Sequence, residues 1–222
     1  MKEAGVKMPV AQALRRAEKF LSCIEPYCDR TSLAGSVRRG GEKGFCSDVD
    51  VVVIHKRQPG SLEFFEQELK EALPSLLHRH LVKLTDNRSR FNWLKSRDNS
   101  SPESGSFYQI RVDDWLLEIY CATLETWGSV LACRTGSADA NRWLALWAKG
   151  RGLQWRTSRG LQPAGAPEDA PCFAGASEES FFAELGFPFV PDPKARTPEF
   201  YEHIFRSLAP GVGLVPQIET MK

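Results

Sequence analysis

The stretch that most limits what this chain can fold into is Leu33 to His55, LAGSVRRGGEKGFCSDVDVVVIH. Its apolar end, Val51 to Ile54, reads as a strand, and Asp48-Val49-Asp50 forms the first residues of that strand. Strand side chains alternate between faces, so Asp48 and Asp50 lie on one face and Val49 and Val51 on the other. Two carboxylates held side by side repel each other unless a cation lies between them, and ligands made only of oxygen favour Mg²⁺ or Mn²⁺ over zinc. Upstream, Gly35, Gly40, Gly41 and Gly44 allow backbone N–H groups to approach an anion, while Ser36 adds a hydroxyl and Arg39 a fork of donors. Phosphate on one side and a divalent metal on the other describe a nucleoside triphosphate site. A lone Asp-x-Asp is more often a solvated turn, but its coupling to GS, RRG and VVVI favours the site.

The chain has 222 residues, enough to bury a real core in one domain or two small lobes. No run approaches the ~18 apolar residues of a membrane span, so no membrane partner is expected. The N-terminal segment MKEAGVKMPVAQALRR has no apolar h-region and reads as a cytoplasmic start. Six cysteines without a CxxC pair argue for reduced thiols rather than a disulfide framework or a thiolate metal site. His55, His78, His80 and His203 have no carboxylate or cysteine at ligand spacing and are read as non-catalytic. A net charge of +1 argues against a protein that coats nucleic acid. Basic residues are nevertheless concentrated at residues 79–97 and 142–159, with Trp93, Trp143 and Trp155 interleaved. Such stretches suit a phosphate backbone, although solvated helix faces give similar runs.

Helical spacing of Val10, Ala13, Leu14, Ala17, Phe20, Leu21 and Ile24 predicts an amphipathic helix over residues 9–25, ended by Pro26. Residues 30–34 form an extended lead-in to the GS turn. A second helix is expected from Ser61 to about Pro74, then short strands over 81–85 and 89–94 and an exposed loop over 98–106. Residues 107–112 and 115–122 read as strands of a hairpin turning at Asp113-Asp114. Glu118 is then a lone acid in an apolar strand and needs a partner, which the metal at Asp48 and Asp50 would supply. Beyond Thr123 a short helix spans 126–133, Arg134-Thr135-Gly136 forms a turn, and Ser137 caps a helix to about Lys149. Residues 161–171 read as a Pro/Gly/Ala loop. Ser177 caps another helix ended by Gly186, Thr197-Pro198 opens the last helix, and the final dozen residues are expected to be loose.

Taken together, GSVRRG, SDVDVVV, a third acid on a hairpin strand and RTGSADAN resemble the family X DNA polymerases, the polymerase beta group of nucleotidyltransferases. Glu118 stands 18 residues before Gly136, which is the family's spacing, and ASEESFFAELGFPFVPDP resembles its closing segment. The resemblance implies an α+β fold: a palm at 1–124, with a twisted sheet and flanking helices, and a smaller, mainly helical lobe at 125–222 that closes on the nucleotide. It implies that Asp48 and Asp50 hold two Mg²⁺ or Mn²⁺ ions and that Glu118 binds the catalytic one. Gly35, Ser36, Arg39 and the backbone around Cys46 and Ser47 would take the β- and γ-phosphates. Thr135 and Gly136 would flank the sugar, Arg134 beside them would be a nucleotide-binding residue, and Asn141 would reach the base edge or minor groove of the incoming nucleotide.

The implied reaction is in-line attack by a primer 3′-hydroxyl on the α-phosphate of a nucleoside triphosphate, with a DNA primer–template or gapped duplex as partner and the chain acting as a monomer. Rival readings are transfer to RNA ends or a small molecule, and a catalytically weak DNA-binding relative. Glu118 replaces the family's aspartate, and its extra methylene implies a preference for the larger Mn²⁺ over Mg²⁺. Cys133-Arg134 stands where vertebrate members carry an aromatic pair. With eight residues before Pro9, no lyase domain is expected.

Overall fold

The structure is a computed structural model that describes residues 6–56, 91–97, 107–112 and 115–208. The helix expected from Ser61, the strand over 81–85, the loop over 98–106, the Asp113-Asp114 turn and the final residues lie outside these segments. So do His78, His80 and the basic residues between Arg79 and Arg90.

Helix α1 (Val10–Ile24) begins one residue after Pro9, whose missing N–H falls where a helix leaves that group unpaired. Ala13, Ala17, Phe20 and Ile24 recur every three or four residues and form its buried stripe. A 3₁₀ turn, Glu25–Tyr27, carries Pro26 and ends the helix. The chain then enters β2 (Cys28–Leu33), a four-residue helix α2 (Gly35–Arg38) and β4 (Asp48–His55). A short ribbon of β1 (Met8–Pro9) and β3 (Phe45–Cys46) ties the start of α1 to the segment entering β4. Strands β5 (Phe91–Arg97), β6 (Phe107–Val112) and β7 (Trp115–Cys121) complete a five-stranded sheet of order β2-β4-β7-β6-β5. All neighbours are antiparallel except β4 and β7, which run parallel.

The two faces of the sheet follow the alternation of β4. Val49, Val51 and Val53 join Leu117 and Ile119 against the apolar stripe of α1. On the other face Val52, Ile54 and Tyr120 pack on Trp127, Val130 and Leu131 of α3 (Trp127–Thr135). The expected boundary at residue 124 falls just before α3, which also gives Ala132 to a second core. That core is built by α4 (Ala138–Gly150), α5 (Glu178–Leu185) and α6 (Pro198–Leu208), with Trp147, Phe181, Phe182 and Tyr201 inside it. Ser137 caps α4 by accepting from the Ala140 N–H at 3.2 Å. Ser177 and Ser180 cap α5 reciprocally, at 3.0 and 3.1 Å, and Gly186 ends it in the left-handed conformation.

The result is a mixed α+β architecture, with two departures from the sequence expectations. Helix α3 runs through Arg134 and Thr135, placed above in a turn, because Ala132 and Gly136 close its last backbone hydrogen bond at 2.9 Å. A hairpin of β8 (Leu153–Arg156) and β9 (Gly160–Pro163) occupies part of the segment read as loop. Its strands are four residues each, too short for alternation to stand out. Trp143 lies with Ala140, Leu144 and Trp147 in the buried stripe that the helical spacing after Ser137 predicts, and Trp155 lies on Phe181 and donates to Ser129 Oγ at 2.8 Å. Among the described residues no helix is long and apolar enough to cross a membrane.

Candidate active site

The parallel pairing of β4 and β7 sets Asp50 directly beside Glu118, and Asp48 beside Leu116. Adjacent strands lie about 4.8 Å apart, so the Asp48–Asp50 pair and Glu118 share one small area of one face. Both aspartates are half-buried, whereas Glu118 is only 1% exposed.

The GS turn packs directly over the aspartates. Ala34 N–H donates to the Asp50 carbonyl at 2.9 Å, and a Cβ on Gly35 would lie 1.8 Å from Asp50 Oδ2. Gly35 also has φ of 61°, which favours glycine for a second reason. The two arginines that follow divide their work. Arg38 donates to Thr135 Oγ1 at 2.7 Å and makes a two-pronged bond to Glu178, at 3.0 and 2.8 Å. Arg39 donates to the Thr135 carbonyl and lies near the aspartates. Burial lowers its pKa from the ordinary value, and Asp50 and Asp48 oppose that shift. Thr135, fully buried, is therefore held through both its hydroxyl and its carbonyl by the GS segment. Glu178 in turn accepts from Arg196, 2% exposed, through both oxygens. Burial alone would raise the Glu178 pKa, but the two guanidiniums outweigh it and hold it below the ordinary value.

Glu118 has protein partners where the sequence reading expected a metal. Gln109, its register neighbour on β6, donates to Oε1 at 2.7 Å, and the Tyr120 hydroxyl, two residues on along the same face, donates to Oε2. Arg134 lies over the Tyr120 ring, its guanidinium carbon 3.9 Å from the centroid. Burial, with the Asp50 carboxylate next, pushes the Tyr120 phenol well above its usual range.

Cys46 and Ser47 precede the aspartates, but the Cys46 thiol is turned toward the Met8 carbonyl, 3.8 Å away, leaving its backbone as the part that could meet a phosphate. Burial, helped by Asp48 and Asp50, pushes that thiol up to about 11. Asn141 donates to the Cys133 carbonyl at 2.7 Å, and its Oδ1 lies 2.1 Å from where a Cβ on Gly136 would stand, so the glycine makes room for it.

Three buried side-chain atoms among the described residues lack a hydrogen-bond partner, and all belong to residues the sequence had marked: Ser36 Oγ, Arg134 Nε and Asn141 Oδ1. Unpaired buried polar atoms are costly, and a ligand carrying acceptors for Ser36 and Arg134 and a donor for Asn141 would satisfy them. The aspartate pair, with oxygen donors only and partial exposure, suits a divalent cation. Glu118 stands opposite Asp50 on the neighbouring strand and accepts one hydrogen bond on each of its oxygens, from Gln109 and Tyr120. Arg38, Glu178, Arg196, Gln109 and Tyr120 were not marked by the sequence. Only Glu178, opening the Ser177-capped helix, and Arg38, next to Arg39, carried any signal.

No family model matches the chain, and neither does any curated protein. Among solved structures it is similar to the crystal structure of Leishmania infantum polymerase beta in a ternary P/T complex, at 18% identity and a TM-score of 0.55, over 87% of this chain and 77% of that one. The likeness lies in the fold, and the fold this chain shares is that of a polymerase beta.

Proposed function

We propose that this protein is a divalent-metal-dependent nucleotidyltransferase that extends a DNA primer 3′-hydroxyl, or fills a short gap, with release of pyrophosphate. The observation that carries the reading is the Asp48–Asp50 pair on one face of β4, with Gly35 of the GS turn packed against Asp50 and Arg134 over the Tyr120 ring of the neighbouring strand, together with the buried, unpartnered polar atoms of Ser36, Arg134 and Asn141. The polymerase beta fold supports it.

Asp48 and Asp50 would hold the cation, which when bound screens the triphosphate charge and acidifies the attacking hydroxyl. Ser36 Oγ donates to a phosphate oxygen, held in place by the tight contact of Gly35 on Asp50. Arg39, near the aspartates, adds positive charge where the leaving pyrophosphate builds negative charge. Arg134, just before the Thr135-Gly136-Ser137 segment, would donate from its unpartnered Nε to the nucleotide, and Asn141 Oδ1 would accept from a donor on the base edge. The acceptor is taken to be nucleic acid because Arg142, Lys149 and Arg151 are exposed basic residues, suited to a phosphate backbone, that a small acceptor would not need.

A labelled primer–template incubated with Mn²⁺ or Mg²⁺ and each nucleotide in turn tests this. Template-directed extension of a gapped duplex, abolished in Asp50→Ala, is the expected result. Extension of RNA ends alone, transfer only to a small molecule, or DNA binding without incorporation would replace this reading with its rivals.

A further inference from the structure

Between the GS segment and the aspartates the chain holds an aromatic ring out in solvent. Glu42 to Phe45 close a two-residue turn, in which the Glu42 N–H donates to the Phe45 carbonyl at 2.8 Å and the Phe45 N–H to the Glu42 carbonyl at 3.0 Å. At its tip Lys43 and Gly44 have φ of 52° and 81°, a conformation for which such turns favour asparagine or glycine over lysine. The β1–β3 ribbon that follows has two unlike faces. Met8 and Cys46, paired in register, are buried in the core, whereas Pro9 and Phe45, the next pair, are exposed. Phe45 is 48% open to solvent. Lys7 stands two residues before Pro9 and Lys43 two before Phe45, and both are exposed, as is the one acid of the turn, Glu42. Lys194, also exposed, brings its side chain to the same glycine segment, its Cε 3.1 Å from where a Cβ on Gly40 would stand. The turn is closely packed at its base: a Cβ on Gly41 would lie 2.2 Å from Val10 Cγ2 and 2.7 Å from the Phe45 carbonyl oxygen.

We propose that Phe45 is a stacking site for an unpaired base of a single-stranded nucleic acid, with Lys43 and Lys7 meeting the phosphates of the same strand. The proposal rests on the reading of the acceptor as nucleic acid given above. A phenyl ring can stack on any base and lysines attract the backbone, so the combination holds a single strand whatever its sequence. A protein partner would call for a continuous apolar patch, whereas here one ring and a proline stand among exposed lysines. Within a duplex both faces of each base are covered by its neighbours, so the ring takes an unpaired base. Phe45 lies three residues before Asp48, at most about 10 Å at ~3.3 Å per residue, a span that about three stacked nucleotides cover. A strand held on Phe45 therefore lies within a few nucleotides of the aspartate pair.

Fluorescence anisotropy of a labelled short oligothymidylate, with chelator present and no nucleotide, measures this binding apart from any transfer. Phe45→Ala should weaken it about 10-fold, the equivalent of one base–aromatic stack. Phe45→Trp should preserve it, while Phe45→Leu, apolar but without a ring face, should weaken it as alanine does. Lys43→Asn keeps a residue the turn favours and removes the charge; together with Lys7→Ala it should make the dependence of log affinity on log salt shallower by about 1.4, the counterions of two phosphate contacts on a single strand. Binding of a blunt duplex should be the same in wild type and Phe45→Ala. No oligothymidylate binding by wild type, equal binding by Phe45→Ala, or wild-type affinity in Phe45→Leu would each overturn the stacking site, the last by showing that the ring serves only as apolar surface. The transfer reading stands or falls separately: binding that depends on Phe45 in a protein that extends no primer upholds the stacking site and sinks the transferase, and extension without such binding does the reverse.

Discussion

Gly35 shows how tightly single positions are constrained at this site. Its Cα rests against the Asp50 carboxylate, and its φ lies in the region L-residues avoid. Gly35→Ala must push Asp50 aside and strain the turn, each by itself worth about 1 kcal/mol or more. The expected outcome is a measurable fall in denaturant midpoint together with loss of nucleotidyl transfer, since displacing Asp50 moves the carboxylate that would hold the cation. Glu118 has a different kind of constraint. A glutamate reaches both the Gln109 amide and the Tyr120 hydroxyl from the β7 backbone, and an aspartate would be one methylene short of them. In the folded protein the longer side chain is the length that meets two internal donors.

At the scale of elements, the C-terminal helices start where their serines say they should. Ser177 accepts from the Ser180 N–H while the Ser180 hydroxyl accepts from the Ser177 N–H, so two N–H groups at the start of α5 are satisfied by side chains. Because Glu178 is the first residue of that helix, the cap also fixes the backbone from which the carboxylate reaches Arg38 and Arg196. Ser177→Ala should cost about 1 kcal/mol of global stability in a urea titration. It should also weaken transfer more than Ser137→Ala does, because the α4 cap supports no comparable ion pair. Equal effects of the two substitutions would show that α5 does not need its cap to aim Glu178.

Across the whole molecule, the carboxylate of Glu178 joins residues 38, 178 and 196, segments that the sequence keeps far apart. The side chains of Glu178 and Arg196 are 7% and 2% exposed, so removing the acid strands a buried guanidinium. Glu178→Gln should destabilise the protein by about 3 to 5 kcal/mol at neutral pH, the usual result of breaking one side of a buried pair. Because the folded pKa of Glu178 lies below the ordinary 4.5, its contribution is fully present above that pH and is lost as pH falls through the lower folded value. The gap in melting temperature between wild type and Glu178→Gln should therefore stay constant from pH 7 down to about 5 and narrow in more acidic buffer. A gap independent of pH down to 3 would mean that the charge on Glu178 is not what holds these segments together.

What the amino-acid order determined by itself was local. The alternation of Asp48 to Ile54 put both aspartates on one face, the apolar spacing from Val10 to Ile24 made α1, and Ser137, Ser177 and Gly186 marked helix ends. Each of these is set by residues within about four positions of one another, which is the range over which backbone periodicity and caps act. The tertiary structure alone decided the partners. It chose β7 as the parallel neighbour of β4, gave Glu118 to Gln109 and Tyr120, sent Arg38 to Glu178 and Arg39 to Thr135, and packed Trp155 on Phe181. The bond from Arg38 to Thr135 spans 97 residues and that to Glu178 spans 140. Which of two adjacent arginines meets which acceptor at such separations depends on how the strands and helices pack, because a hydrogen bond forms only between groups brought within about 3 Å of each other.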